Sequence, residues 1–112
     1  MQGEVRLYPE ALRSIGAGLI DNVYRTVGSA FQHPIYWMHL VNDTDAALTF
    51  SWDGIDDHAY LPAGGFLVMD ITSNHASNAS GLFFSVGQRI WTREATVTPT
   101  TGIVTLSVFY AV

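Results

Sequence analysis

The residues best suited to chemistry in this chain lie in one short phrase, residues 53–58, which reads D-G-I-D-D-H. It supplies the carboxylates of Asp53, Asp56 and Asp57 and the imidazole of His58. Hard cations such as Ca²⁺ bind six to eight oxygens, often from carboxylates and loop carbonyls. The phrase lacks the alternating spacing of an EF-hand loop, and Asp and Gly are also the residues that tight turns prefer. We therefore take the four side chains as candidate ligands only, predict no bound metal, and favour a turn.

Catalytic and phosphate-binding patterns are missing from the sequence. The chain has four histidines and many serines, but no G-x-S-x-G elbow and no H-E-x-x-H pair. Gly64-Gly65 follow a proline and precede a predicted strand rather than a helix, which does not suit a phosphate-binding loop. The sequence therefore predicts a protein that is not an enzyme and needs no cofactor.

Aromatic side chains offer a different chemistry, the stacking of sugars. Trp37 and Trp52 fall on apolar positions of predicted strands, so we expect both in the core. Trp91 lies in the sparser strand RIWTREA and is the better candidate for an exposed ring. Carbohydrate binding is therefore an alternative function.

Composition limits the partners. The chain has 112 residues, of which 48% are hydrophobic and 13% charged, against about a quarter charged in a typical domain. We expect at least one apolar surface to meet another subunit. Net charge is −5 with no lysine, which argues against nucleic acid and anionic membranes as partners. No cysteine is present, so neither disulfides nor thiolate metal sites are possible.

The elements that must position these residues are almost all strands. Short apolar runs alternate with Gly, Pro, Asn and Asp turns at regular spacing, which is typical of a sandwich or jelly roll. We predict an all-β, antiparallel, jelly-roll-like β-sandwich of about eight strands within residues 11–112. The predicted strands cover residues 12–17, 22–27, 35–42, 47–52, 58–61, 66–71, 82–86, 89–95 and 103–112.

Residues 35–42, read as IYWMHLVN, are apolar on both sides, with Ile35, Trp37 and Val41 on one side and Tyr36, Met38 and Leu40 on the other. This pattern predicts a central strand that is covered on both faces, with His39 as a hydrogen-bonded core residue. The next four residues, NDTD, are predicted to form a turn.

Two segments are candidates for contacts outside the domain. Residues 1–10 are predicted to be an N-terminal arm, in which Val5, Leu7 and Tyr8 are able to pair as an edge strand and Pro9 prevents its continuation. The longest polar stretch, residues 72–81, is a predicted surface loop. Its candidate contact residues are Asn74, His75 and Asn78.

Several phrases of the chain, taken in order, resemble a known class of proteins. They are NDTD, SWDG with a nearby Asp-His, LPAGG–FLVMDITSN, GQRIW and PTTGIVTLSVFYA, and they extend from about residue 12 to residue 112. This order resembles small β-sandwich structural proteins of tailed-phage virions, most of all the decoration, cement or staple proteins of short-tailed phages. Similar sequences also occur among minor tail and head–tail adaptor proteins.

The resemblance implies a non-enzymatic protein that self-associates as a homodimer or small oligomer and binds the major capsid protein on the capsid exterior, after synthesis in the cytoplasm of a bacterial host. The predicted interface elements are the N-terminal arm, the 72–81 loop and the last strand. The interface residues predicted outside the 72–81 loop are Val5, Leu7, Tyr8, Trp91, Phe109 and Tyr110.

Overall fold

The computed structural model describes residues 7–70 and 84–111, which form nine strands and one short 3-10 turn at Ala17–Leu19. The strands are β1 (Leu7–Pro9), β2 (Arg13–Gly16), β3 (Arg25–Thr26), β4 (Ile35–Thr44), β5 (Leu48–Ser51), β6 (Ala59–Leu61), β7 (Phe66–Asp70), β8 (Trp91–Glu94) and β9 (Gly102–Ala111). No helix in these two ranges is long and apolar enough to cross a membrane.

The strands form two antiparallel sheets that pack face to face. The first sheet has the order β1-β9-β4-β7, with β2 pairing beside β1 along the same edge of β9. The second has the order β3-β8-β5-β6. Four of the pairings are nested, β5 with β6, β4 with β7, β3 with β8 and β2 with β9. A long antiparallel hairpin that has been rolled up gives this pattern, and it is the strand order of a jelly roll.

The predicted jelly-roll-like sandwich is therefore confirmed. The count of eight strands also holds when β1 and β2 are taken as one interrupted edge strand. The interruption lies after Glu10, whose N–H still donates to the Val108 carbonyl oxygen at 3.1 Å, and regular pairing resumes at Arg13 with the register shifted by one residue. Leu7 and Tyr8 thus pair with β9 of their own chain, while Val5 and the rest of residues 1–6 lie outside the described residues.

A β-bulge in β4 overturns the prediction that this strand is covered on both faces. Ile35 pairs with Tyr110 and Trp37 with Phe109, so Tyr36 is an extra residue on the β4 side. The bulge turns Ile35 into the core together with Met38 and Leu40. Trp37, His39 and Val41 point away from the core and are only half-buried. Trp37 and His39 are therefore not the core residues that the alternation predicted.

The core lies between the inward faces of the two sheets. Leu48 and Phe50 of β5 are fully buried, as the alternation of residues 47–52 predicts. Trp52 is only partly buried at the edge of the core, because β5 ends at Ser51. The largest fully buried hydrophobic side chains are Phe31, Phe50, Ile35, Met38, Leu40, Leu48, Ile90, Leu106, Val27, Val104 and Val108.

The NDTD phrase does more than form a turn, since its first three residues complete β4. The Asn42 side chain is fully buried, and its Nδ2 donates to the carbonyl oxygens of Ala46, Leu61 and Pro62 at 3.0 to 3.1 Å. Its Oδ1 accepts bonds from the backbone N–H and the hydroxyl of Thr44. Asn42 therefore ties the first sheet to the β5–β6 hairpin of the second sheet.

Candidate functional site

Three of the four candidate metal ligands lie together. One ligand atom each from Asp53, Asp56 and His58 falls within 4.8 Å of the others, and all three residues are exposed. Asp53 Oδ1 already accepts bonds from the backbone N–H groups of Ile55 and Asp56 at 2.8 and 2.9 Å and from the Ser51 hydroxyl. The N–H groups of Asp56 and Ile55, followed by that hydroxyl, lower the pKa of Asp53 to about 2. These contacts are those of a tight turn, as the sequence favours.

The fourth candidate, Asp57, points elsewhere and contacts the second sheet. Its carboxylate accepts a hydrogen bond from the Tyr24 hydroxyl and two from Arg93 Nη2 at 3.1 and 3.2 Å. The Arg93 guanidinium also lies 4.7 Å from the centre of the Tyr24 ring. The Tyr24 bond, then the Arg93 bonds, lower the pKa of Asp57. Asp57 thus belongs to an exposed ion pair and not to the acidic cluster.

A second, buried ionic network holds the N-terminal edge of the first sheet. Glu10 accepts hydrogen bonds from Arg13 Nη2 at 2.7 Å, from His33 Nδ1 at 2.6 Å and from the backbone N–H of Gln32. Burial acts to raise the pKa of Glu10, but the bonds from His33, Arg13 and Gln32 together outweigh it, so the pKa is lowered. Arg13 also donates to the carbonyl oxygens of Ser29 and Ala30. Arg13 is therefore turned inward, and its side chain is buried.

The outward side of the first sheet is the most distinctive surface among the described residues. Three cross-strand pairs place its side chains side by side, Val41 with Phe66, His39 with Val68, and Trp37 with Phe109. Phe66 is 64% exposed and Val68 is 45% exposed. We call this surface the aromatic face and define it by Trp37, His39, Val41, Phe66, Val68 and Phe109.

Ring contacts organise the aromatic face. The Trp37 and Phe109 rings pack edge to face with centroids 5.1 Å apart, and the His39 and Phe66 rings do the same at 5.7 Å. Such contacts stabilise the arrangement beyond simple burial. A shallow groove extends this surface toward the N-terminal edge, and it is lined by Pro9, Glu10, Leu12, Trp37, Ser107, Val108 and Phe109. The face is therefore an ordered set of packed rings and aliphatic side chains, and Ser107 and Thr105 of β9 lie beside His39 and Val41 on the same side of the sheet.

The outward side of the second sheet has a different character. Its side chains include Thr49, Tyr60 and Arg93, which are neighbours across β6, β5 and β8. Arg93 is paired with Asp57, so this side carries both signs of charge. Tyr60 is its most exposed aromatic ring, at 61%. The two outer faces of the sandwich are thus unequal.

The predicted interface residues fall in three places. Phe109 lies in the aromatic face, whereas Leu7 and Tyr8 are exposed on the edge strand β1. Tyr110 points inward, where its ring stacks on His33 with centroids 3.6 Å apart. Asn74, His75 and Asn78 lie outside the described residues, as does Val5.

Trp91 lies on the second sheet and is partly covered by the turn after β5. A Cβ built on Gly54, whose φ is +76°, would lie 2.9 Å from Trp91 Cε2, so the turn packs closely against the indole. This packing gives no support to sugar stacking on Trp91, which needs an open ring face.

Sequence reasoning missed His39, Phe66 and Val68 as surface residues. The uninterrupted apolar run FLVM did carry a signal for Phe66 and Val68. Both sides of such a strand are apolar, and a strand at the edge of a sandwich exposes one of its two sides.

No protein-family description, curated protein or solved structure matches the chain.

Proposed function

We propose that this chain is a non-enzymatic structural protein of a phage virion, which binds the outer surface of the capsid and stabilises it. The proposal unites the resemblance of the sequence with the surface of the fold. A jelly roll by itself favours no single function, because the same architecture occurs in capsid and in lectin domains. The contact surface therefore has to carry the argument.

The observation that carries the proposal is the aromatic face. Burying large apolar side chains is the main favourable contribution to association, and the largest apolar patch on the surface of a protein is often functional. Here the rings, of which only Phe66 is exposed and the others are half-buried, sit on a sheet whose other side is the core, so the surface is rigid before binding. Rigid surfaces lose little conformational entropy on binding, which suits a protein that acts by attachment.

Self-association is the second part of the proposal. The exposed Leu7 and Tyr8 lie on β1, an edge of the first sheet, and edge strands pair readily with strands of another chain. Contacts of this kind between copies, together with attachment to the shell, would multiply weak individual affinities. The protein is then a cement that acts through many simultaneous contacts on the virion exterior.

Two measurements test the proposal. Sedimentation velocity of the purified chain is expected to give a dimer or small oligomer. Co-sedimentation with shells assembled from the major capsid protein of the same phage is expected to show saturable binding, and bound shells should resist heat or chelators better than bare shells. A monomer that stays in the supernatant at all shell concentrations would contradict the proposal. Binding to purified tails but not to shells would favour the tail or adaptor alternative.

A further inference from the structure

We propose that the aromatic face is the shell-binding surface, and that it fits an apolar protein patch with a basic rim rather than a second copy of this chain. The inference rests on the proposed function and specifies which side of the sandwich performs it. Three properties of the face support this assignment, namely its charge, its size and the packing of its rings.

Charge favours a basic partner. Asp43 is exposed at one end of the face, opposite Ile103, and the outward Asp70 lies at the other end, opposite Trp37. The chain has no lysine, and three of the four arginines in the described ranges, Arg13, Arg25 and Arg93, are paired with a carboxylate of their own chain away from this face. With a net charge of −5, a second copy would bring like charges together, whereas arginines or lysines around an apolar patch would complement Asp43.

Size argues against a stable dimer through this face. The three strand rows and the six steps from Trp37 to Asp43 cover about 300 Å², taking about 4.8 Å between strands and about 3.4 Å per residue. A stable interface of standard size buries about 800 Å² on each partner. The face alone therefore gives a weak contact, and such a contact becomes effective on a surface that repeats, where several copies bind at once.

The chemistry of the face also distinguishes a protein from a sugar. Sugar sites combine a ring with several hydrogen-bonding groups that converge on the ligand. Here the outward hydroxyls, those of Thr105 and Ser107, lie in one row along β9. The Trp37 and His39 rings each pack edge to face against a neighbouring ring, which builds a corrugated apolar surface suited to side chains. A protein patch with apolar side chains at its centre fits this surface best.

The test uses Phe66→Ser and a matched control, Tyr60→Ser. Both residues are large, similarly exposed aromatics on edge strands, but they lie on opposite sheets. In co-sedimentation with shells of the same phage, Phe66→Ser is expected to weaken binding by about tenfold or more, as at an interface hot spot, and Tyr60→Ser by less than about twofold. Circular dichroism and thermal melts of both variants check that each is folded.

A charge pair of variants completes the design. Asp43→Arg reverses a charge on the face, and Asp56→Arg makes the same change of net charge in the exposed turn after β5. Asp43→Arg is expected to reduce shell binding about threefold more than Asp56→Arg, and the difference should shrink in high salt. Equal effects would overturn the basic-rim part of the inference.

The remaining outcomes separate the inference from the proposed function. If the unmodified chain binds shells and Phe66→Ser binds equally well, the inference is wrong while the proposed function stands. If the unmodified chain does not bind shells, both are wrong. If Phe66→Ser converts an oligomer into monomers, the face is occupied by a second copy. Binding on a glycan array that Phe66→Ser abolishes would instead identify a sugar site, and either result overturns the inference.

Discussion

The two outer faces of this sandwich come from one rolled hairpin, yet they differ in what they show to solvent. The first sheet presents the aromatic face, on which no arginine of the described ranges lies. The second sheet presents an ion pair, Asp57 with Arg93, beside Tyr24. Both sheets contribute apolar side chains to the core, so folding alone does not require this difference. The exposed apolar side chains of the first sheet are therefore not needed to form the core.

One arginine on each sheet shows the same difference between the sheets. Arg13, at the edge of the first sheet, is buried and bound to Glu10 and to backbone carbonyl oxygens. Arg93, on the second sheet, is exposed and bound to a carboxylate that water also reaches. One arginine therefore contributes to the fold of the first sheet, while the other keeps the second sheet polar.

The largest expected effect separates these two ionic networks. Glu10→Ala leaves the buried Arg13 without its carboxylate, which is expected to lower the free energy of unfolding by about 3 to 5 kcal/mol. Asp57→Ala removes an exposed partner of Arg93 and is expected to change the free energy of unfolding little, because water screens the pair. Denaturant unfolding of both variants measures the difference. Equal losses would mean that the two networks are not as unlike as their burial indicates.

A second comparison sets the two sides of β4 against each other. Leu40 is fully buried, so Leu40→Ala is expected to cost about 2 to 5 kcal/mol of unfolding free energy. Val41, the next residue, points into the aromatic face and is half-buried, so Val41→Ala is expected to cost about 1 kcal/mol or less. The measurement is again the denaturation midpoint. A larger loss for Val41→Ala would place that side of β4 in the core.

A third variant addresses the contact between the sheets. Asn42→Ala leaves three carbonyl oxygens, those of Ala46, Leu61 and Pro62, without their shared donor, at an expected cost of about 1 to 3 kcal/mol. The matched control is Asp43→Ala, one residue on and exposed, with an expected change within about 0.5 kcal/mol. If the two variants lose the same free energy of unfolding, the buried amide of Asn42 does not join the two sheets.

The smallest expected effect is a loss of stability at low pH that the turns of both sheets share. Asp45, after β4, accepts bonds from Thr100 and Thr101, and the Thr100 hydroxyl, then its N–H and that of Thr101, lower the pKa of Asp45 from 3.8 to about 2. The turn bonds of Asp53, after β5, lower its pKa to about 2 as well. Because the folded pKa values are depressed, this contribution to stability is complete above about pH 4 and lost as pH falls through about 2.

Thermal melts between pH 5 and 2 test this titration. The melting temperature of the unmodified chain is expected to fall over that range, and Asp45→Asn and Asp53→Asn are each expected to flatten part of the fall. If only one of the two variants changes the pH profile, the turns of the two sheets do not share the acid sensitivity equally.

Much of the fold was predictable because alternation and turn residues are local signals. The positions of Leu48 and Phe50 in the core follow directly from the period of two in residues 47–52. The bulge at Tyr36 was not predictable, because a single extra residue leaves no mark in an all-apolar run and yet reverses the side to which Ile35 points. Asn42 was read as a turn residue, since a buried amide that bridges two sheets depends on contacts 19 and 20 residues away.

The candidate surface was predictable only in part. Phe109 was predicted as an interface residue and lies in the aromatic face, whereas Tyr110, one residue on, is turned inward onto His33. Low charge and high hydrophobic content indicated that an apolar surface exists, but its location depends on which strands lie at the edges of the sandwich. The order of the strands in the two sheets decides which strands lie at the edges. Phe66 and Val68 are identified as surface residues only because β7 lies at the edge of the first sheet.

A cryo-electron microscopy map of the particle that carries this protein is the most direct test of the central claim. We expect the first sheet to face the shell, with Phe66, Val68 and Trp37 against apolar side chains and Asp43 near an arginine or lysine of the shell protein. A map in which the second sheet, with Tyr60 and Arg93, faces the shell while the aromatic face is open to solvent would contradict it.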